Sequence, residues 1–280
     1  MRLVSAGDAL ERLRPRVLFS DVDGTLVGKG ASFFHGLDGE PTMAAAEALF
    51  AAHRAGLEIV LVSGRTRSQL FETGRLLGIR DAVAELGVVV VVEGAAELRW
   101  GAVPAGLGDT PRAAIDRSGA LTLLLEAFAG RLEPHAPWDT GREGTALLRG
   151  RADRAKADAL LAEHGFDWLR LRDNGRLHAA YPHLGPGEAH AYHLAPAAVT
   201  KADSVAHYLD RRGIAPDEAA AIGDSPADLE LVGAVGAMFM VANGAWAVER
   251  DEALQRRVIT TGASAGDGWA EAVNALVARI

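Results

Sequence analysis

Val17-Leu18-Phe19-Ser20-Asp21-Val22-Asp23-Gly24-Thr25 is an apolar run that stops at two carboxylates and a glycine. Two further runs end in the same abrupt way: Ile59-Val60-Leu61-Val62 at Ser63-Gly64-Arg65, and Ala219 through Ile222 at Gly223-Asp224-Ser225. Val88 through Val92, Met238 through Val241, and Val258-Ile259 are apolar as well. Runs that are continuous rather than alternating suit strands covered on both faces, as in a parallel sheet. Helical spacing separates them. Pro41 to Arg54 repeats apolar residues at Ala45, Leu49 and Phe50, and Thr66 to Leu77 ends at Gly78, a residue suited to a C-cap. Strand and helix alternating in this way predict an α/β fold, a Rossmann-like doubly wound parallel sheet.

The middle of the chain breaks that rhythm. A Gly/Pro-rich stretch, Gly101 to Gly119, leads to an amphipathic helix carrying Leu121, Leu124, Leu125, Phe128 and Leu132. A strand at Ala146–Leu148, a helix at Ala152–His164, and strands near Trp168–Leu171, Arg176–Tyr181 and Ala189–Leu194 follow, with Asn174-Gly175 as a hairpin signal. The expected division is therefore a core of residues 1–98 and 197–280, interrupted by an α+β insertion of residues 99–196.

Composition excludes several functions. The 280 residues carry a formal net charge of −8, which disfavours a nucleic-acid partner, whose phosphates call for clustered Lys and Arg. Absence of cysteine leaves oxygen and imidazole as the available metal ligands. No run approaches the ~18 apolar residues of a membrane span, and Met1 to Arg16 lacks an apolar signal segment. A cytoplasmic protein with no membrane partner is expected, as a monomer or a homodimer.

The carboxyl ends of strands in an open parallel sheet share one edge, where ligands bind. That edge would gather Asp21, Asp23, Ser63 and Asp224. Carboxylates without Cys or His suit Mg²⁺, and Gly24, Thr25 and Gly64 would offer N–H and hydroxyl groups to a phosphate.

The same residues resemble the haloacid dehalogenase-like hydrolases. Asp21-Val22-Asp23-Gly24-Thr25 matches that family's D-x-D-G-T, Ser63 its Ser/Thr after an apolar strand, Lys201 its helix-opening Lys, and Gly223-Asp224-Ser225-Pro226-Ala227-Asp228 its G-D-x-x-x-D. Order and spacing agree over the whole chain. Subclass IIB, with its Cof, sucrose-phosphatase and mannosyl-3-phosphoglycerate phosphatase types, inserts an α/β (C2-type) cap between the second and third motifs, where the insertion falls here.

The resemblance implies that Asp21 is the nucleophile forming an aspartyl phosphate and that Asp23 is the acid/base. It implies that Ser63 and Lys201 hold the phosphoryl group, and Gly24, Thr25, Gly64 and Arg65 are the further candidates for binding the phosphate. Mg²⁺ would lie on Asp21, Asp224 and the backbone carbonyl of Asp23, with Asp228 next to them. Members that do not need the acid typically carry another residue in place of Asp23, so its presence favours hydrolysis of a small phosphorylated metabolite, a sugar or glycosyl phosphate. A phosphosugar mutase and a non-enzymatic phosphate-binding module are the alternatives. In one departure, many relatives place Asn directly before the last Asp, where this chain has Ala227; Ser225 or Asn243 is the candidate to supply the missing contact.

Outside the motifs, the separations of His178 from His183 and of His190 from His193 put each pair on opposite faces of a straight strand, which argues against a histidine metal site. Arg142, Arg149, Arg170 and Arg172 form either a solvated cap face or a binding surface for an acidic substrate. The stretch Gly28 to Glu40 is either a wall of the leaving-group pocket or a plain connector.

Overall fold

The computed structural model describes residues 6–177 and 179–280; residues 1–5 of the opening stretch, and His178 among the histidines, lie outside the described residues. Among the described residues, twelve strands form two sheets. The strands are β1 (Val17–Ser20), β2 (Glu58–Val62), β3 (Asp81–Ala84), β4 (Val89–Val92), β5 (Ala95–Leu98), β6 (Leu132–Pro134), β7 (Ala146–Gly150), β8 (Leu169–Arg176), β9 (His190–Pro196), β10 (Ala219–Gly223), β11 (Ala237–Met240) and β12 (Val258–Thr260). The helices are α1 (Ala6–Arg12), α2 (Ala44–Ala55), α3 (Arg67–Leu77), α4 (Pro111–Ser118), α5 (Ala120–Ala127), α6 (Arg154–Glu163), α7 (Lys201–Arg212), α8 (Ala245–Val248), α9 (Glu252–Gln255) and α10 (Ala265–Val277).

The large sheet runs β12-β11-β10-β1-β2-β3-β4-β5, parallel from β12 to β3 and antiparallel from β3 onward. Successive strand residues point to opposite faces. Leu18 and Leu61 therefore pack with Ala45, Leu49 and Trp269 of α2 and α10, whereas Phe19 and Val60 pack with Val205 and Tyr208 of α7. Both faces are covered, which is why the runs read as continuous. The small sheet, β6-β7-β9-β8, is antiparallel and buries one face against α4, α5 and α6. Among the described residues, no helix is long and apolar enough to cross a membrane.

Helix ends follow their caps. Thr66 accepts from the Gln69 N–H in a capping box that opens α3, Gly78 closes that helix at φ 72°, and Thr200 accepts from the Asp203 N–H at the start of α7.

Several expectations need correction. Val88–Val92 is not a parallel strand: three successive residues with positive φ, Glu85, Leu86 and Gly87, turn the chain, so β4 returns antiparallel beside β3. The run Asp81–Ala84, too short and mixed to stand out in the sequence, is the strand it returns along. Asn174-Gly175 is not a hairpin. A type I′ turn needs positive φ at both residues, and of the two Gly175 alone has it, at 102°. The pair instead forms a bulge inside β8, between Asp173 opposite Tyr192 and Arg176 opposite His190. The amphipathic helix is shorter than its apolar pattern, since α5 stops at Ala127 and Leu132 belongs to β6. The Gly/Pro-rich stretch also hides α4, opened by the Thr110 cap and Pro111 at its first turn.

Candidate active site

The parallel strands bring their three polar termini to one edge. Asp21 follows β1 directly, with its N–H donating to the Ile222 carbonyl at 3.0 Å. Its own carbonyl accepts from Ser20 Oγ at 2.8 Å, and Ser20 Oγ accepts from the buried indole Nε1 of Trp269 at 2.9 Å. This fixes the strand end on which the Asp21 side chain is mounted. Gly24, at φ 82°, then lets the chain pass close to Asp224: a Cβ there would lie 2.4 Å from Asp224 Oδ2. Thr25 is fully buried, and its hydroxyl has no partner among the described residues.

Lys201 opens α7 and reaches back under this edge. Its Nζ lies 2.6 Å from Asp228 Oδ1 and 3.6 Å from Asp21 Oδ1. Asp228 uses its other oxygen to accept from Ser225 Oγ at 2.7 Å, the Ser225 N–H at 3.1 Å and the Asp224 N–H at 3.3 Å. Asp228 thus braces the fourth motif, while Asp21 and Asp224 keep open oxygens. At the position of Ala227 the structure places no polar side chain. The contacts around it come from Ser225 and from Asn243, whose amide donates to the Gly24 carbonyl at 3.0 Å and to Asp224 Oδ2 at 3.3 Å.

Burial, then the nearby Asp228, pushes the Asp21 carboxyl well above the usual range despite Lys201, and the same causes push Asp224 up to about 7. Burial alone would lower the Lys201 ammonium, but Asp228 and Asp21 outweigh it and hold the group charged. One ammonium thus faces three carboxylates, and oxygens of Asp21, Asp224 and Asp228 all lie within 4.8 Å of one another. An all-oxygen donor set with surplus negative charge fits a hard divalent cation such as Mg²⁺.

Ser63, Gly64 and Arg65 follow β2 at the same edge. Ser63 is buried; its N–H donates to the Val83 carbonyl at 2.9 Å and its hydroxyl accepts from the Arg65 N–H at 3.3 Å. Arg65 pairs with Asp23 rather than with the carboxylate triad. It forks onto Asp23, with Nη2 at 2.5 Å from one oxygen and Nε at 2.8 Å from the other. Asp23 is half-exposed and stands apart from the three clustered carboxylates.

Sequence reasoning missed the groups that join insertion to core. Buried Glu85 accepts from the N–H groups of Glu143, Gly144 and Thr145 at 2.8, 3.1 and 2.9 Å, and from Thr145 Oγ1 at 3.0 Å. With its one proton given to Glu85, that hydroxyl can only accept from His193 Nδ1, 3.0 Å away. The His193 tautomer is thereby fixed, and burial first, then Arg142 and Lys201, holds the ring neutral. Its Nε2 has no partner among the described residues and lies against Gly64, where a Cβ would be 3.0 Å from Nε2 and 2.9 Å from Asn174 Nδ2. Arg142 donates to the Gly64 carbonyl at 3.0 Å. No sequence signal marks these partners, because most of the donors are backbone groups.

A cleft of about 720 Å³ opens between Lys201, Asp224 and Asn243 of the core and Arg170, Arg172 and Asn174 of the insertion. His190 also lines it, paired with Asp173 at 2.9 Å, while His183 pairs with Glu133. Arg149 lies away from it, paired with Glu133. Gly28 to Glu40 is not among the residues lining this cleft.

Comparison with known proteins agrees with this arrangement. A family model described as haloacid dehalogenase-like hydrolase matches residues 183–256. A phosphoglycolate phosphatase of Pyrobaculum aerophilum is 28% identical over 270 residues, spanning 94% of this chain and 96% of its own. Among solved structures, a protein of Thermoplasma acidophilum superposes with a TM-score of 0.65 at 17% identity, over 95% of this chain and 99% of its own. The sucrose-phosphatase of Synechocystis, in complex with sucrose and phosphate, does so with a TM-score of 0.60 at 16% identity, over 94% of this chain and 98% of its own. With four motifs meeting at one sheet edge beneath an inserted α/β layer, the chain shares the fold of these solved structures and is similar to the haloacid dehalogenase-like hydrolases over residues 183–256.

Proposed function

We propose that the protein hydrolyses the monoester of a small phosphorylated metabolite through an aspartyl phosphate on Asp21, with residues 99–196 acting as a cap over the core of residues 1–98 and 197–280. The observation that carries this reading is the Asp21 carboxylate, fixed at a strand end 3.6 Å from Lys201 and clustered with Asp224, where Lys201 and Asp224 line the cleft.

In the first step an Asp21 oxygen attacks phosphorus, the ester P–O bond breaks, and the leaving oxygen takes a proton from Asp23. In the second, water gives a proton to Asp23 and attacks the same phosphorus, which returns Asp21 and releases phosphate. Dividing the displacement in two lets a single carboxylate act as acid and then as base. Asp23 must part from Arg65 to do so, and Arg65 then becomes free to meet the phosphoryl oxygens with Ser63 and Lys201. Asp21 and Asp224, with Asp228 behind them, are the residues that would hold Mg²⁺. When bound it neutralises charge between an anionic carboxylate and an anionic phosphate.

A sugar or glycosyl phosphate is favoured by the cleft, whose roughly 720 Å³ exceeds what a two-carbon acid fills. A short phosphorylated acid is the second reading, favoured by the name of the Pyrobaculum aerophilum relative. A panel of phosphate esters assayed with Mg²⁺ or EDTA, native chain against Asp21→Asn, tests both. Release only by the native chain with Mg²⁺ is expected. Isomerisation of a hexose phosphate without net phosphate release would point to a mutase instead, and a stable aspartyl phosphate without turnover to a regulatory module.

A further inference from the structure

Three consecutive carbonyls after β2 are held, two by the core and one by the insertion. The Ser63 carbonyl accepts from the Leu86 N–H at 3.2 Å, the Gly64 carbonyl from Arg142 Nη1 at 3.0 Å, and the Arg65 carbonyl from the Glu85 N–H at 3.0 Å. Glu85 and Leu86 belong to the turn that follows β3, whereas Arg142 reaches in across 78 positions of sequence. The Arg142 side chain is 2% exposed, and its other contacts lie in the same seam: the Trp138 carbonyl at 3.2 Å, Thr145 Oγ1 at 3.3 Å and the Glu85 carboxylate at 3.8 Å. A guanidinium taken this far out of water is costly unless its donors are used. Arg142 is not among the residues lining the cleft.

The N–H groups of the same stretch divide differently. That of Ser63 donates to the Val83 carbonyl at 2.9 Å and that of Arg65 to Ser63 Oγ at 3.3 Å, while the Gly64 N–H has no acceptor among the described residues. A hydroxyl that accepts from a backbone N–H keeps its own proton to give. The Ser63 O–H and the Gly64 N–H are therefore two donors left over at an edge suited to phosphate. The peptide between Gly64 and Arg65 links them, with its carbonyl on Arg142 and its N–H on Ser63 Oγ. Glycine restricts its own backbone rotation less than any other residue, so the orientation of that peptide comes from what it is bonded to. His193 and Asn174 of the insertion press on Gly64 where a Cβ would stand, which leaves no room for a stiffer residue.

We propose that Arg142 is a positioning residue: by holding the Gly64 carbonyl it aims the Ser63 hydroxyl and the Gly64 N–H at the phosphoryl group, so that the insertion completes the phosphate cradle of the core. This rests on the reading of the strand-end edge as a phosphate site. Arg142 touches neither phosphorus nor leaving group; it acts through one peptide. Its influence falls on the phosphoryl group and is therefore the same for every ester.

The test compares the native chain, Arg142→Met and Arg142→Lys on p-nitrophenyl phosphate and glucose 6-phosphate, whose leaving groups have little in common. Inorganic phosphate serves as competing inhibitor and as a ligand that raises Tm. In Arg142→Met, kcat/KM should fall on the order of 30-fold by the same factor on both esters, and the inhibition constant of phosphate should rise on the order of tenfold. Arg142→Lys keeps the charge but not the fork, and should recover part of both losses. A role in stability alone would lower Tm and leave KM and the phosphate constant unchanged, which overturns the proposal. Losses that differ between the two esters would put Arg142 on the leaving group and overturn it too. If Arg142→Met does not fold, Arg142→Lys decides alone: kcat/KM and the phosphate constant should each move on the order of fivefold, and no movement overturns the proposal. A native chain that turns over neither ester would overturn the phosphatase reading instead. The rise in Tm with phosphate would then still decide on Arg142, a smaller rise in Arg142→Lys supporting the proposal, and an equal rise, or none in the native chain, overturning it.

Discussion

At the strand-end edge and at the seam between insertion and core, a buried carboxylate organises a loop, but the two are built from different material. Asp228 gathers Ser225 and Asp224, three and four positions before it, and its contacts recur as a short pattern of residue types. Glu85 gathers Glu143, Gly144 and Thr145 from 58 to 60 positions away, chiefly through backbone N–H groups that every residue type except proline possesses. The edge is written in side chains, the seam in the path of the chain. Chemistry should therefore fail when an edge side chain changes, and geometry when the seam does.

The largest expected effect separates the two outright. Asp21→Asn should remove phosphate release by on the order of 10⁴-fold or more while leaving the fold and the seam intact, read as turnover beside an unchanged unfolding curve. Residual turnover within tenfold of native would show that the edge does not work through this carboxylate.

Gly64→Ala strikes where edge and seam meet. The added methyl would crowd Asn174 and His193 at 2.9 and 3.0 Å, so kcat/KM should drop on the order of 30-fold. Adding Asn174→Gly to that variant should recover part of the loss by making room. If it recovers none, the cap does not dictate the position of the Ser63–Arg65 loop.

Glu85→Gln tests the seam alone. A neutral amide presents its NH₂ to a nest of donors, and the chain should lose about 2 kcal/mol in urea unfolding while keeping most of its turnover on a small ester. Full loss of turnover with unchanged stability would reverse the contrast drawn above.

The smallest effect is one of pH. Burial, then Asp228, raises Asp224 from the ordinary 3.8 to about 7, so its ionised form is the costly one in the folded chain. The corresponding stability is full below about pH 4 and is lost as pH rises through about 7. In EDTA, melting should be about 3 °C lower at pH 8 than at pH 5, and added Mg²⁺ should raise Tm more at pH 8. An equal Mg²⁺ shift at both values would mean that the cation does not meet Asp224.

Much of the sheet and the membership of the edge were legible because apolar runs and the polar residues ending them are local features. Asp21, Ser63 and Asp224 stand at neighbouring strand ends as parallel pairing requires. Register and turn direction were less legible. The reversal at Glu85–Gly87 uses positive φ at two non-glycine residues, which composition does not announce, and Asn174-Gly175 gives the same letters for a bulge as for a hairpin. The pairing of Asp23 with Arg65 was hidden too, since 42 positions separate them and nothing in either motif specifies the contact. His193 could be found only by following the Thr145 hydroxyl back to Glu85.

The two straps that tether the cap are unequal. From β5 the outgoing chain wanders through residues 99–110 before α4, whereas the return from β9 takes only residues 197–200 before Lys201 opens α7. The short strap limits how far the cap can move at its own end more than the long one does at the other. A rotation of the cap about that strap would have its shortest lever arm beside the Lys201 ammonium and its longest at the far rim, and it would have to break the Glu85 contacts to Glu143, Gly144 and Thr145. For an engineer exchanging caps, the return strap is the junction whose length must be copied to the residue, and the outgoing one is where slack can be added.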